Sequence, residues 1–298
     1  MDFAAWRSSG NFFEYRGHRI FYQHSGIDSG TGLLCIHGFP TASWDWQSIW
    51  PTLTQRFDRV LAPDLIGFGW SDKPRDYAYS VCDQADLCEA LLKQRNIIRV
   101  HVVAHDLGDS VAQELLARDI QRVDQGEPSR IVSTVLLNGG LFPETHRPRL
   151  IQRMLLTSLG PFIARALSER TFARSFSAVF GARTQPNAEQ LHECWQLIVH
   201  AQGQRRMHQL IRYIPERLAR RARWVDALQR ASGPVRLIVG MDDPVSGAQM
   251  VDRYRALIAH ADIVELPGIG HYPQMESPRA VLDAMTDFHH TAESGRVA

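Results

Sequence analysis

The amino-acid sequence predicts an α/β protein: a mostly parallel twisted sheet flanked by helices, with a helical cap inserted after the sixth strand. Three observations carry this. Strand-length apolar runs alternate with amphipathic helical stretches over residues 1–142, the pattern of a parallel sheet covered on both faces. The alternation stops for about ninety residues and resumes near residue 229. Charge divides along the same lines. Residues 143–230 hold fifteen Arg and no Lys against six acids, a balance of +9, while the rest, 18 basic against 26 acidic, stands at −8.

Taken in order, NFFEYRGHRIFYQHSG from residue 11 reads as a two-stranded hairpin turning at Gly17. Buried strands follow at GLLCIH (32–37), RVLAPD (59–64), RVHVVAHD (99–106) and IVSTVLLNGG (131–140). Between them, Ser80–Gln94 sets Val81, Ala85, Cys88 and Leu92 at helical spacing. Segments 147–159, 163–180, 187–202 and 205–222 all have helical spacing, punctuated by Pro143, Pro148, Pro161, Pro186 and Pro215. Then come VRLIVG (235–240), a helix near 247–260, ADIVELPG (261–268) and a last helix near 277–290. The expected division is a core over 1–142 and 229–298, with a cap over 143–228.

Composition narrows the function. An apolar fraction of 44% and a charged fraction of 22% are ordinary for a globular chain. A net charge of +1 gives no reason to expect nucleic acid as a partner. No run of about 18 apolar residues exists to span a membrane. The opening MDFAAWRSSGNFFEYRG lacks the apolar stretch of a secretory signal, so the expected address is cytoplasmic. Cys35, Cys82, Cys88 and Cys194 form no CxxC pair, which argues for isolated buried thiols rather than a zinc site. Monomer and homodimer both remain open.

The strongest chemical signal is Val102-Val103-Ala104-His105-Asp106-Leu107-Gly108. A buried strand stops, a sharp turn lifts one side chain, and a helix begins. Small residues at Ala104 and Gly108 flank Asp106 as they flank the nucleophile in a strand–turn–helix elbow. Such a string also occurs by chance around an ordinary helix-capping Asp, so its companions decide. His37-Gly38-Phe39-Pro40 follows an earlier strand, where the Phe39 and Leu107 N–H groups would converge on developing negative charge, with His37 beside them. Later strands lead into Gly240-Met241-Asp242-Asp243-Pro244 and Gly268-Ile269-Gly270-His271-Tyr272-Pro273. Nucleophile, acid and histidine thus follow in order, each at the carboxyl end of a different strand.

A carboxylate is a poor acylating nucleophile but a competent one towards saturated carbon. Asp106 would form an ester with a small hydrophobic organic substrate. His271, held by Asp243, would deprotonate the water that hydrolyses it. This chemistry needs neither metal nor redox cofactor.

HGFP, DLIGFGWSDKP, HDLG, GMDDP and GHYPQMESP resemble the epoxide hydrolase and haloalkane dehalogenase branch of the α/β-hydrolases. More narrowly, AHDLGDSVAQELLARD, LNGGLFPETHRP, RRARWVDAL and GHYPQ look like the mesoderm-specific transcript group within it. The motifs run from about Cys35 to Pro278. The resemblance implies an α/β-hydrolase fold and, with Asp106 as nucleophile, hydrolysis of an epoxide to a vicinal diol. Epoxide hydrolases protonate the departing oxygen from a pair of cap tyrosines. Tyr213, alone between Tyr79 and Tyr254, resembles the second of these. His146 is a possible substitute donor, with a salt bridge or helix cap as its plainer role.

Dehalogenases usually place Trp after the nucleophile and Asn or Trp after the HG pair; here Leu107 and Phe39 stand there. Trp195 in the cap joins the substrate-binding candidates, while Trp44, Trp46 and Trp50 suit aromatic packing. Fluoroacetate-type enzymes place Arg where this chain has Leu107. Dehalogenation is therefore the alternative reaction, and a silent ligand receptor the alternative class. Asp242 competes with Asp243 as triad acid, and the G-x-x-D-P spacing of the resemblance favours Asp243. Asp109 stands where the elbow usually has a small residue and is expected to pair locally or narrow the pocket floor. The cap arginines read as a solvated face, with an anionic surface as the other use.

Overall fold

The computed structural model describes residues 1–26 and 30–294. Its centre is one eight-stranded sheet in the order β1-β2-β4-β3-β5-β6-β7-β8. The strands are β1 (Asn11–Tyr15), β2 (His18–Gly26), β3 (Gly30–Ile36), β4 (Arg59–Pro63), β5 (Ile97–His105), β6 (Ile131–Leu137), β7 (Val235–Gly240) and β8 (Asp262–Leu266). β1 and β2 form the expected hairpin, and β2 runs antiparallel to β4; every later pairing is parallel. β4 and β6 are buried at every residue because helices cover both faces. One face packs around Leu34, Val102 and Leu136, the other around Leu33, Val103 and Val135, as the pleat requires of neighbouring residues.

The helices are α1 (Phe3–Ser9), α2 (Trp50–Arg56), α3 (Val81–Gln94), α4 (Leu107–Asp124), α5 (Leu150–Leu155), α6 (Gly160–Ala166), α7 (Glu169–Ser177), α8 (Ala188–Val199), α9 (Met207–Leu210), α10 (Tyr213–Ala219), α11 (Arg221–Gln229), α12 (Ala248–Leu257), α13 (Pro273–Glu276) and α14 (Pro278–Ser294). Helices α5 to α11 lie between β6 and β7 with no strand among them. The expected fold class is the observed one.

Two differences concern helices. α1 carries no apolar periodicity in the sequence, because a single buried residue, Trp6, anchors it. Trp6 packs edge-on against Trp44 and Trp50 at 5.5 and 5.0 Å, which places those tryptophans in an aromatic core. The long helices expected over 163–180 and 205–222 are each broken. Ser168 caps the start of α7 by accepting from the Thr171 N–H, and Arg220 is the junction of α10 and α11. All four cysteines are free; three are buried, whereas Cys82 is only half-buried.

Candidate active site

β5 ends at His105, and Asp106 turns the chain into α4 with φ at 47°. A non-glycine residue in that region is strained and persists where its surroundings fix it. Here the Asp106 N–H donates to the Leu137 carbonyl at 3.2 Å. Close approach also explains the small neighbours. A Cβ on Gly108 would stand 2.3 Å from the Ile36 carbonyl oxygen, and one on Gly38 would stand 2.9 Å from the Asp106 Cβ.

The Asp106 carboxylate is buried, with donors on both oxygens. The Phe39 N–H and the Tyr213 hydroxyl donate to Oδ2 at 3.1 and 3.3 Å. Arg217 Nη2 reaches Oδ1 at 3.3 Å and the Asp106 carbonyl at 2.7 Å, while its Nε donates to Ser110 Oγ at 2.6 Å. Burial by itself would raise the carboxyl. Arg217, then His271 and His105, hold it below the usual carboxylate range. Asp106 is therefore ionised throughout the neutral range.

His271 faces Asp243, with Nδ1 2.8 Å from Asp243 Oδ2. Burial pulls the imidazole down, but the Asp243 charge and hydrogen bond, with Asp106 behind them, keep it above its ordinary 6.5. Asp243 in turn accepts from Asn138 Nδ2 at 2.9 Å and from the Val245 and Ser246 N–H groups at 2.7 and 3.1 Å. Asp242 is exposed and accepts only from the Gly268 N–H, at 3.3 Å, among the described residues. Of the two neighbouring acids, Asp243 is the one beside the histidine.

A cavity of about 80 Å³ opens beside His271, walled by Phe39, Phe172, Phe176, Val245, His271 and Tyr272. Leu107, Trp195 and His37, the other sequence candidates, are not among its lining residues. Leu107 is buried at the first position of α4. Trp195 stacks on Phe172 at 5.8 Å and so lies one ring behind the cavity wall. His37 is placed differently from a substrate contact. Its Nε2 accepts from the Leu65 N–H at 3.0 Å and its Nδ1 donates to the Gly38 carbonyl at 2.8 Å. Both ring nitrogens are spent on backbone, and burial lowers the ring to about 4. His37 shapes the His37–Pro40 loop and has no polar atom left for a ligand.

Two further candidates have plainer positions. Asp109 is buried behind the elbow, 3.4 Å from the Leu137 N–H, with Gly139 tight against it. His146 makes neither an ion pair nor a helix cap among the described residues; burial, then Arg217, lowers it to about 4, leaving it neutral.

Four positions escaped the sequence reading. Arg217 lies one helical turn after Tyr213, and that spacing puts both on Asp106. Asn138 sits at the end of β6 and bridges Asp243 to the Gly240 carbonyl. His105 Nε2 donates to the His271 carbonyl at 2.7 Å. Glu276 Oε1 accepts from the Tyr272 N–H at 2.9 Å and Oε2 from the Gly270 N–H at 2.8 Å, which fixes the histidine loop. Each lies inside or next to a motif, but a single sequence gives no sign of the partner across the fold.

A family model described as the Alpha/beta hydrolase family matches residues 33–284. The mouse mesoderm-specific transcript protein is 41% identical over 292 residues, covering 95% of this chain and 87% of its own. Putative hydrolase LipZ of Mycobacterium tuberculosis is 37% identical over 279 residues, covering 94% of this chain and 95% of its own. Among solved structures, haloalkane dehalogenase DbeA from Bradyrhizobium elkani superposes with a TM-score of 0.78 at 24% identity, covering 96% of this chain and 99% of that one. Epoxide hydrolase CorEH superposes with a TM-score of 0.75 at 17% identity, covering 95% and 98%.

Proposed function

The chain belongs to the alpha/beta hydrolase family, and from that premise we propose that it hydrolyses small hydrophobic epoxides to vicinal diols through an ester of Asp106. The observation that carries this reading is the buried Tyr213 hydroxyl, 3.3 Å from the Asp106 carboxylate. An epoxide whose carbon meets Asp106 brings its oxygen within reach of that phenol.

In the first step an Asp106 oxygen attacks the epoxide carbon. The carbon–oxygen bond breaks, and the departing oxygen takes the Tyr213 proton, leaving a phenolate. In the second step His271 removes a proton from water, and the hydroxide adds to the Asp106 carboxyl carbon. The Phe39 and Leu107 N–H groups stabilise the tetrahedral oxyanion. Collapse expels the diol oxygen, which takes the proton of the added hydroxyl and restores the Asp106 carboxylate. The His271 imidazolium returns its proton to Tyr213, so the balance is epoxide plus water to diol. Asp243 holds the imidazole orientation, and Asn138 holds Asp243.

In this reading residues 143–228 are the cap, which supplies Tyr213, Arg217 and the apolar cavity wall, and 1–142 with 229–298 are the core. Neither Phe39 nor Leu107 offers a side-chain donor to a departing halide, and the Trp44 indole donates to Glu193 at 3.1 Å instead. Dehalogenation is the weaker reading for that reason. A receptor would have no use for Asp243 and His271 set in line with a carboxylate nucleophile.

The test is a single turnover in heavy-oxygen water with a panel of epoxides, haloalkanes and esters. Label should enter the Asp106 carboxylate before it enters product, and His271→Gln should accumulate an adduct on the peptide containing Asp106. Label appearing first in product, with no adduct in His271→Gln, would mean direct water attack and refute the ester.

A further inference from the structure

The first part of the cap carries an apolar ridge that no step of the reaction uses. Leu150, Leu159 and Phe162 are 72%, 61% and 66% exposed, and Met154 and Leu156 are exposed between them. Single exposed leucines are normal on any surface. Five within residues 150–162, which form α5 and the start of α6, are a local concentration.

The ridge lies in cationic surroundings. Residues 143–174 contain six arginines against two glutamates. Beside α6 opens a cleft of about 320 Å³ walled by Arg75, Arg165, Arg205 and Arg206, with Asp76 as its one carboxylate. Among the described residues, the cap's arginine ion pairs belong to Arg217, Arg220, Arg221 and Arg223. Arg153, Arg165 and Arg205 are exposed and outside them.

We propose that this α5–α6 face docks on an anionic phospholipid bilayer. Leu159 and Phe162 enter the acyl boundary, while Arg165 and the arginine-walled cleft take lipid phosphates. An apolar stretch flanked by Arg is the composition of a surface that lies in the membrane interface. A second copy of the chain fits less well, because the same face on both partners would bring arginine against arginine. No helix among the described residues is long and apolar enough to cross a membrane, so the contact is peripheral. It also bears on substrate supply: Arg149, Ile151 and Gln152, at the start of α5, wall the cavity over His271. A lipophile dissolved in the bilayer would therefore enter beside the docked helix. That consequence rests on the proposed reaction, but the docking does not, and vesicle binding is measured without turnover.

The experiment is flotation of the whole chain with phosphatidylcholine vesicles, with and without about one-third phosphatidylglycerol. The chain should float with the anionic vesicles only, and about 0.5 M NaCl should weaken binding tenfold or more. The double variant Leu159→Glu/Phe162→Glu should bind about a hundredfold more weakly. Arg165→Glu/Arg205→Glu should bind at least about tenfold more weakly. Both should keep the wild-type unfolding temperature, since all four side chains are exposed. Failure to float with anionic vesicles, equal binding to neutral ones, or wild-type binding by either variant overturns the proposal. A dimer in light scattering that Leu159→Glu/Phe162→Glu dissociates, without vesicle binding, also overturns it and gives the face to a second copy.

Discussion

Replacing Arg217 by Met keeps most of the side chain's length and removes its charge from beside Asp106. Both residues are about 2% exposed, and the guanidinium contacts the Asp106 carboxylate, the Asp106 carbonyl and Ser110. Removing one partner of a buried pair costs about 3–5 kcal/mol, because the remaining charge is left unsolvated. At about 1.6 °C per kcal/mol for a chain of this size, Arg217→Met should unfold about 5–8 °C earlier near pH 7.5.

The sign of its pH dependence is fixed by Asp106. In wild type the folded carboxyl lies below 3.8, so its contribution to stability is present above 3.8 and lost only as pH falls through the lower folded value. In the variant the burial effect dominates and the folded value moves above 3.8. Asp106 then destabilises the fold progressively as pH rises above 3.8. The gap between the unfolding temperatures of wild type and variant should therefore widen from pH 4 to pH 7.5. The pH dependence of ester formation should gain an acidic limb that wild type lacks. Calorimetry across that range and pre-steady-state alkylation measure the two effects. A gap that is constant with pH, with no new limb, would show that Arg217 acts by packing alone and refute the electrostatic argument.

Tyr213→Phe keeps the ring's packing and removes only the hydroxyl. Epoxide turnover should fall by about a hundredfold, within the range general acids contribute, while cleavage of an activated ester changes little. Ready halide release that ignores this substitution, with no epoxide turnover, would favour dehalogenation. Asp243→Asn should cost orders of magnitude in turnover without unfolding the chain, and Asp242→Asn should be nearly silent; the reverse outcome would move the acid to Asp242. In wild type the hydrolytic step needs neutral His271, so its rate should rise with pH through a midpoint above 6.5. Asp243→Asn should move that midpoint down, and an unmoved midpoint would assign the titration to another group.

The alternation of buried strands and amphipathic helices was legible in the sequence because backbone pairing and face burial impose their periods locally. The elbow, the HGFP loop and the two late turns were legible for a related reason. Each is a strand end followed by residues whose small size or turn chemistry serves the adjoining backbone, so the signal is contiguous. The hydroxyl of Tyr213 could be named from the resemblance to epoxide hydrolases, but its distance from Asp106 could not. What only the tertiary structure decided were partnerships across long separations: Arg217 with Asp106, Asn138 with Asp243, and both His37 nitrogens with backbone. An arginine in a segment rich in arginine looks like solvated surface until the fold buries it. Of the fifteen between 143 and 230, Arg217 alone is fully buried, because α10 lies over the elbow and turns that one position inward. Sequence composition could say that residues 143–230 are cationic. Only packing could separate the arginine that holds the candidate nucleophile from those that face outward beside the Leu159 and Phe162 ridge.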